Sequence, residues 1–316
     1  MQRRTFLTTI SAGMLVGACT KGSSGRLIQN VGLGLFSIPH LLEVDVEGTM
    51  AMLAEIGYKE IELYGPYPFS VPSAHERWAG LTPQLGFEGS GYYGHSPTEF
   101  RRMLDRYGLT APSIHVDLET LRTRLDQVAE AANTLGHDYA GIAAIPEEAR
   151  QTLDDYRSMA DEFNEIGRRA SEQGFKFLYH NHGYGLAPVE GQIPLQLLLE
   201  RLDPEAIALE MDVYWTVAGG ADPVEYLKAY PGLYRLMHVK DMTERVRFSG
   251  DGGNPEQWMA LFPYMTSAGN GVLDLPHILR TARANGVEHF FVEYDLAPDP
   301  ETMLRDSHAY LASLEG

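Results

Sequence analysis

The stretch Phe177–Gly183 reads FLYHNHG, so a short apolar run passes directly into two histidines that flank an asparagine. Three later apolar runs also end in polar groups, and they read IALEMD at 207–212, LMHVKD at 236–241 and HFFVEYD at 289–295. In a (β/α)8 barrel, the active site is built from side chains at the carboxyl ends of the strands. These four runs therefore predict four consecutive barrel strands whose ends surround one site.

The rest of the chain repeats the alternation of short apolar runs with segments of helical spacing. Strands are predicted at 30–36, 59–64, 109–116, 139–145, 175–181, 207–212, 236–241 and 288–294, and helices at 46–56, 97–107, 119–135, 152–173, 194–202, 223–230, 273–285 and 301–314. Strict alternation implies parallel strands joined by right-handed crossovers. We predict a (β/α)8 TIM barrel; the alternative is an open doubly wound sheet. The polar ends of the last four strands favour closure, because a barrel brings them around one centre.

Composition restricts the partners of this chain. The 316 residues carry a formal net charge of −18, and such an acidic surface disfavours nucleic acid and anionic lipid as charge-driven partners. The 44% of hydrophobic residues is enough for a large core. Cys19 is the only cysteine, which excludes an intrachain disulfide and a metal site made of cysteines.

The first residues look like an export segment. Arg3 and Arg4 precede an apolar stretch that ends at Val16, which resembles a twin-arginine signal and is too short for a convincing transmembrane helix. The run VGAC at 16–19 resembles a bacterial lipobox, in which Cys19 is lipidated; the alternative is a cleaved soluble signal with an incidental cysteine. We predict a signal at 1–19, a tether at 20–26 and a barrel at 27–316. We also predict that the protein is periplasmic and that it contacts the membrane through a lipid on Cys19.

The strand ends carry pairs of polar residues two positions apart. Since side chains alternate between the faces of a strand, both members of each pair share a face. The pairs are His180 with His182, Glu210 with Asp212, His238 with Lys240, and Glu293 with Asp295. One such residue alone is commonly a hydrogen-bonded spacer, but four consecutive ends of this kind favour a divalent metal site. Nitrogen and oxygen ligands without thiolate suit Mn, Mg, Co, Fe or Zn.

The motifs YHNH at 179–182, DVYW at 212–215, LMHVKD at 236–241 and VEYD at 292–295 resemble those of the xylose isomerase-like sugar isomerase/epimerase family, over about residues 27–314. The resemblance implies a TIM barrel that binds one divalent ion, commonly through Glu, Asp, His and Glu on strands five to eight. Matched by motif, Asp212, His238 and Glu293 are ligands, and His180 stands at the strand-five position instead of Glu. Gly185 is a second departure, because near relatives often have Glu there. Relatives often form homodimers, although no feature of this sequence shows one.

Within this resemblance, the ion acts as a Lewis acid on a carbonyl and its neighbouring hydroxyl, and it stabilises the enediolate that forms when the α-proton leaves. Glu293 or His182 is the expected base. We expect Lys240 to lie among cations and to act as a general acid of lowered pKa, or to hold a substrate oxygen; the alternative is an ion pair with Asp241 or Glu210. His115 and Glu62 either contact substrate hydroxyls or make hydrogen bonds in the core, and Trp215 is expected at the mouth.

Two long segments, 65–96 and 241–271, are predicted as loops. The first is rich in aromatic residues such as Trp78, so it either covers the barrel mouth and stacks on a sugar ring or packs as a plain loop.

The reaction stays open at this point. The first hypothesis is an isomerase or epimerase, or a lyase on the same site, acting on a non-phosphorylated sugar, cyclitol or keto-glycoside, because an exported enzyme meets few phosphorylated metabolites. The second is a sugar-binding lipoprotein without catalysis, which the absence of Glu at position 180 favours. An endonuclease-like phosphodiesterase would need a basic groove, and the net charge of −18 argues against it.

Overall fold

Eight parallel strands close into a barrel in a computed structural model that describes residues 25–316. In chain order they are β1 Val31–Gly34, β2 Glu60–Tyr64, β3 Thr110–His115, β4 Tyr139–Ile142, β5 Lys176–His180, β6 Ile207–Asp212, β7 Tyr234–Val239 and β8 His289–Val292. Each strand pairs with the next, and β8 pairs with β1, so the predicted (β/α)8 TIM barrel is confirmed and the open sheet is excluded. The predicted signal at 1–19 and the first residues of the tether lie outside the described residues.

The register of the last four strands decides where the polar ends meet. His180 on β5 lies opposite Glu210 on β6, and Asp212 on β6 lies opposite His238 on β7. Because these strands are parallel and paired in sequence order, their carboxyl ends reach the same rim of the barrel. Gly141 allows β4 to approach β5 closely, since a Cβ there would lie 1.7 Å from the carbonyl oxygen of Leu178.

Helices cover the outside of the barrel. They are α1 Pro39–Val44, α2 Val46–Ile56, α3 Pro72–Leu85, α4 Pro97–Tyr107, α5 Leu118–Thr123, α6 Leu125–Leu135, α7 Leu153–Glu172, α8 Pro194–Leu199, α9 Val213–Ala218, α10 Pro223–Ala229, α11 Pro255–Leu261, α12 Leu275–Ala284 and α13 Pro300–Ser313. Local signals explain several boundaries: capping boxes begin α4 at Ser96 and α7 at Thr152, and left-handed Gly57 ends α2. Among the described residues, no helix combines the length and the apolar composition that crossing a membrane requires.

Five helical features differ from the prediction, and the first is the short helix α1, which was not predicted. The segment 65–96 contains α3, although Gly80 and Pro83 lie inside that helix and obscure its pattern. The segment 241–271 contains α11 and a small antiparallel sheet of Asp241–Met242 with Met265–Thr266. The predicted helix 119–135 divides at Arg124 into α5 and α6. The short helix α9 was not predicted; it begins where the Asp212 side chain accepts a hydrogen bond from the Trp215 amide.

The barrel interior changes character along its axis. Its lower part is a small apolar cluster, made of Tyr139, Leu178, Ala208, Leu236 and Phe291. The layer above it consists of buried ionisable side chains inside the barrel, among them Glu62 on β2, Glu210 on β6 and His238 on β7. Burying charged groups is costly unless they are paired or bind a metal, so this polar layer marks the functional end of the barrel.

Candidate metal centre and active-site cavity

Three strand ends bring Asp212, His238 and Glu293 together at the centre of the polar layer. One ligand atom from each residue lies within 4.8 Å of the other two. His238 Nδ1 is 2.6 Å from Glu293 Oε2 and 3.8 Å from Asp212 Oδ2. All three side chains are buried. The motif-based ligands of β6, β7 and β8 therefore meet at one point.

These atoms fit a divalent ion. Asp212 Oδ2 and His238 Nδ1 are buried and lack a well-aligned hydrogen bond; their near neighbours are Lys240 Nζ at 3.1 Å and Glu293 Oε2 at 2.6 Å, respectively. Buried polar atoms of native proteins normally have a partner, and those that lack one need an explanation such as an ion. One imidazole nitrogen with carboxylate oxygens is a donor set that suits Mn, Co and Zn.

His180 belongs to a second group of potential ligands. It lies with His115, Glu210 and His238, whose nitrogen and oxygen atoms are also within 4.8 Å of one another. His180 Nδ1 is 3.1 Å from Glu210 Oε2, whereas its Nε2 is 3.7 Å from Asp212 Oδ2. His180 thus stands between the two groups, with one ring nitrogen directed to each.

Glu210 is the acceptor at the centre of the second group. Burial alone would raise its pKa, but the charge of His238 and the hydrogen bonds from His115 and His180 hold that pKa well below its usual value. The distance from His115 Nε2 to Glu210 Oε2 is 2.9 Å. Glu62 adds a carboxylate 2.5 Å from His238 Nε2, which corresponds to the alternative of a hydrogen bond inside the barrel; its contact with a substrate stays a prediction.

Lys240 lies among carboxylates, and the expectation of cationic neighbours with a lowered pKa is wrong. Burial would lower its pKa, but Asp212, Asp295 and Glu293 together raise it well above the usual value. Its Nζ is 3.1 Å from Asp212 Oδ2, 2.8 Å from Glu293 Oε2 and 2.8 Å from Asp295 Oδ2. Lys240 is therefore a fixed cation. Its charge balances part of the negative charge of Asp212, Glu293 and Asp295, which together form the acidic floor of the site.

The two residues proposed as partners of Lys240 lie elsewhere. Asp241 turns away from the site and accepts hydrogen bonds from the backbone amides of Met242, Gly269, Gly271 and Leu273. Glu210 contacts the histidines instead. Asp241 thus organises the segment that follows β7 and takes no part in the floor.

His182 is held in one tautomer by the backbone. Its Nδ1 lies 2.8 Å from the carbonyl oxygen of Ala143, so Nδ1 carries the proton and Nε2 presents a lone pair. Burial and the charges of His180 and Lys240 lower its pKa well below the usual value. The Trp258 ring lies 4.3 Å from the imidazole, centroid to centroid, and shields it further. His182 is therefore a neutral hydrogen-bond acceptor at the cavity wall.

A cavity of about 370 Å³ opens above this floor. Among the residues expected in the site, all but Asp212 line it: Glu62, His115, His180, His182, Trp215, His238, Lys240 and Glu293. Asp212 is fully buried beside them. Trp215 is buried as well, with its ring centroid 5.2 Å from Lys240 Nζ, so it forms the wall near the floor and not the open mouth.

Three contributors had been given no catalytic, ligand or substrate role. Glu210 and Asp295 were named in the polar pairs, and each stands two positions from an expected ligand, so this spacing was the signal that could have assigned them. Trp258 lies on α11, within a segment predicted as loop, and nothing local in the sequence directs it toward His182.

Comparison with known proteins agrees with this architecture. A model described as xylose isomerase-like TIM barrel matches residues 50–314, and the chain belongs to that family. Inosose dehydratase 2 of Bacillus cereus is 29% identical over 115 residues, a match that covers 35% of this chain and 38% of that protein. The chain therefore spans less than half the length of this curated relative.

Solved structures share the fold at low sequence identity. A sugar phosphate isomerase/epimerase from Parabacteroides distasonis superposes with a TM-score of 0.68 at 22% identity, covering 94% of this chain and 98% of that chain. The IolI protein, whose crystal structure holds a zinc atom, superposes with a TM-score of 0.60 at 13% identity, covering 90% and 96%. At such identities, the likeness concerns the barrel itself.

Proposed function

We propose that this protein is a divalent-metal-dependent sugar isomerase or epimerase that moves the α-proton of a carbonyl substrate. The observation that carries the proposal is the cavity floor, where the potential ligands Asp212, His238 and Glu293 adjoin the fixed cation Lys240 and the lone pair of His182. A positive charge opposite a neutral base is what removal of a proton next to a carbonyl requires.

His182 is the base in this scheme. Its Nε2 accepts the α-proton, the C–H electron pair forms a carbon–carbon double bond, and the carbonyl oxygen becomes an enolate oxygen. The hydrogen bond from Nδ1 to Ala143 holds the ring in the accepting tautomer. Its lowered pKa keeps Nε2 free of a proton at neutral pH. A proton delivered to the opposite face of the α-carbon, by Glu293 or by solvent, gives the epimer. A proton delivered to the former carbonyl carbon gives the isomer, and the α-hydroxyl proton then passes to the former carbonyl oxygen, so that the α-carbon becomes the new carbonyl.

The acidic floor orients the substrate and balances charge. Lys240 donates to the developing oxygen anion, and Asp295 holds its ammonium group through both oxygens, at 2.9 and 2.8 Å. Asp212, His238 and Glu293, with His180 beside them, would hold the divalent ion. Such an ion supplies Lewis-acid polarisation of the carbonyl. Glu293 is the alternative base, although its contacts with His238 and Lys240 leave it less free than His182.

The proposed substrate is a neutral sugar, cyclitol or keto-glycoside. Near the mouth, the charged lining residues are Arg77 and Asp117, and their side chains lie 3.7 Å apart, so they offset each other. A phosphate group would need unpaired cationic donors or a row of backbone amides. The proposed export of the chain also favours a substrate without a phosphate group.

A lyase or dehydratase on the same site is the second candidate. The same enolate can expel a hydroxyl from the β-carbon, which then leaves as water after protonation. The observation that favours it is the sequence similarity to inosose dehydratase 2 of Bacillus cereus. A sugar-binding protein without catalysis is the remaining alternative; it would bind the same ligands and exchange no proton.

Metal content and proton exchange test the proposal together. We expect about one divalent ion per chain after incubation with Mn, Co or Zn, and deuterium uptake at the α-carbon of a keto-sugar in D2O. Asp212→Asn removes a ligand oxygen, so the ion is lost and exchange falls by about 100-fold or more. Asp161→Asn is the control, because Asp161 is an exposed acid that pairs with Arg201. A wild-type chain that binds no ion would contradict the proposal, and an ion without exchange on any keto-sugar would favour the binding protein.

A further inference from the structure

The outer half of the cavity is built by two helices that do not belong to the regular strand–helix repeat. Helix α3 lies in the segment after β2, and α11 lies in the segment after β7. Each turns one side toward the cavity. The lining residues are spaced as on a single helix face, with Trp78, Leu81 and Leu85 on α3, and Trp258 and Met259 on α11 followed by Phe262.

These six side chains are apolar and only partly covered. Leu81 is 37% exposed, and the other five are intermediate in burial. An apolar helix face normally packs against other protein, so two such faces directed at one cavity leave apolar surface for a ligand to cover. A monosaccharide that reaches Lys240 and His182 would be surrounded by polar groups, and the apolar walls would stay exposed to water.

The aromatic wall of α3 is held in place before any ligand arrives. Trp78 Nε1 donates to the carbonyl oxygen of Glu88 at 2.7 Å. Its ring packs against Phe87 at 5.6 Å and Tyr64 at 5.8 Å between centroids. A rigid aromatic surface loses little entropy on binding and favours flat partners that stack on it or pack edge to face.

The volume of the cavity and the paired charges of its outer part favour a drug-sized ligand that carries a neutral group. A volume of about 370 Å³ lies in the range of cavities that take drug-sized ligands. The outer part carries no net charge from its lining pair, Arg77 and Asp117, which favours a neutral group.

Resting on the function proposed above, we infer that the walls of α3 and α11 form a subsite for a flat apolar group, such as an aryl aglycone, attached to the sugar or cyclitol. The polar floor then takes the sugar ring, and the aglycone lies between the two helices. The natural substrate is accordingly a keto-glycoside with an aromatic aglycone and not a free monosaccharide. Its carbonyl lies on a ring carbon, because the anomeric carbon of a glycoside is an acetal.

The test compares matched ligands on the full chain loaded with metal. Methyl and phenyl β-glucosides, and the same pair of β-galactosides, are titrated by calorimetry. We expect the phenyl glycoside of a sugar that binds to have a Kd about tenfold lower than its methyl partner. Trp78→Ala should reduce that advantage to about twofold or less and leave the methyl glycoside unaffected. Trp78→Phe should restore most of it.

A second variant avoids the packing role of Trp78. Leu81→Asn alters an exposed position of the wall and should also reduce the advantage of the phenyl group. Val272→Asn is its control, because Val272 is 49% exposed and lies outside the cavity lining. Equal Kd values for the methyl and phenyl pairs, or an advantage that survives both Trp78→Ala and Leu81→Asn, would overturn the subsite while leaving the proposed function intact. Failure of every keto-sugar to bind or to exchange its α-proton would overturn the proposed function as well.

Discussion

At the scale of single residues, neighbouring groups give the histidines of the site opposite properties. Burial lowers the pKa of His238, but the carboxylates of Glu210, Glu293 and Glu62 raise it well above its usual value. His182 is half-buried and lies next to His180 and Lys240 instead; desolvation and these neighbours lower its pKa well below the usual value. The carboxylates therefore favour positive charge at His238, which the divalent ion of the proposed site would supply, whereas His182 stays a neutral acceptor after β5.

Replacement of His182 tests its role as the base. His182→Gln removes the imidazole lone pair and keeps a polar side chain, so we expect α-proton exchange to fall by about 10² to 10⁴ while metal content stays near one ion per chain. Exchange is followed by NMR in D2O, and metal content by elemental analysis. His277→Gln on the exposed surface of α12 is the control. Exchange at the wild-type rate in His182→Gln would assign the base to Glu293.

His137 makes stability depend on pH independently of the site. It is buried after α6, its Nδ1 contacts the carbonyl oxygen of Ala111, and burial lowers its pKa to about 4. The unfolded chain takes up this proton near pH 6.5, so the stability that neutral His137 contributes is lost as pH falls from about 6.5 to 4. A depression of this size corresponds to about 2–3 kcal/mol by pH 4.5.

Denaturant titrations at pH 7 and pH 4.5 measure this loss. We expect the difference in unfolding free energy between the two pH values to shrink by about 2–3 kcal/mol in His137→Asn. The exposed variant His277→Gln is again the reference. An unchanged difference in His137→Asn would show that other groups cause the acid sensitivity.

At the scale of elements, Arg150 joins the segment after β4 to the segment after β7. Its guanidinium donates to the carbonyl oxygens of Ile145 and Gly253 and lies over the Tyr184 ring, with its Cζ 4.1 Å from the centroid. Gly252, next to Gly253, accepts a hydrogen bond from Trp258 Nε1 at 2.7 Å. Arg150 therefore anchors the loop that presents Trp258 to His182 and to the apolar subsite.

Replacement of Arg150 should increase the mobility of the loop that contains residues 245–262. In Arg150→Met we expect faster amide hydrogen exchange over residues 245–262 and a destabilisation of about 2 kcal/mol, because buried carbonyl groups lose charged donors. Exchange is read by mass spectrometry. Arg157→Met is the control, since Arg157 makes an exposed pair with Asp154 within α7. Equal protection of 245–262 in Arg150→Met and the wild type would contradict the anchoring role.

At the scale of the whole molecule, the proposed active site and the proposed cellular location depend on different parts of the chain. Arg26 and Glu315 form an isolated antiparallel backbone bridge, so the two ends of the described barrel lie side by side. We propose that the preceding residues export the folded chain and that a lipid on Cys19 attaches it to the periplasmic face of a bacterial membrane. A single lipid-bearing cysteine at the start of a tether would leave the barrel mouth free to receive small ligands.

Fractionation of producing cells tests this destination. We expect the wild-type chain in the membrane fraction and in the detergent phase of a phase separation, because acyl chains confer membrane affinity. Cys19→Ser should move the protein to the aqueous phase, and replacement of Arg3 and Arg4 by Lys should retain it inside the cell. A wild-type chain found in the aqueous phase would contradict lipidation but would remain compatible with a cleaved signal.

Local sequence patterns were sufficient to predict the barrel and most of its rim. Strand and helix periodicities repeat eight times, and an acid or histidine at a strand end is visible without knowledge of its neighbours. The choice of Asp212, His238 and Glu293 as ligands came from the resemblance of their motifs to a known family, and the structure places one atom of each within 4.8 Å of the others.

Only closure of the barrel decided which of these groups touch. His115 and Glu210 are 95 residues apart in the chain, and Glu62 and His238 are 176 apart, yet both pairs are in contact. Closure also placed carboxylates around Lys240, which reversed the expected direction of its pKa, and it faced α3 toward α11 across the mouth. The energy of a buried charge depends on every group within a few ångströms of it, and strand order and register, which are tertiary properties, select those groups.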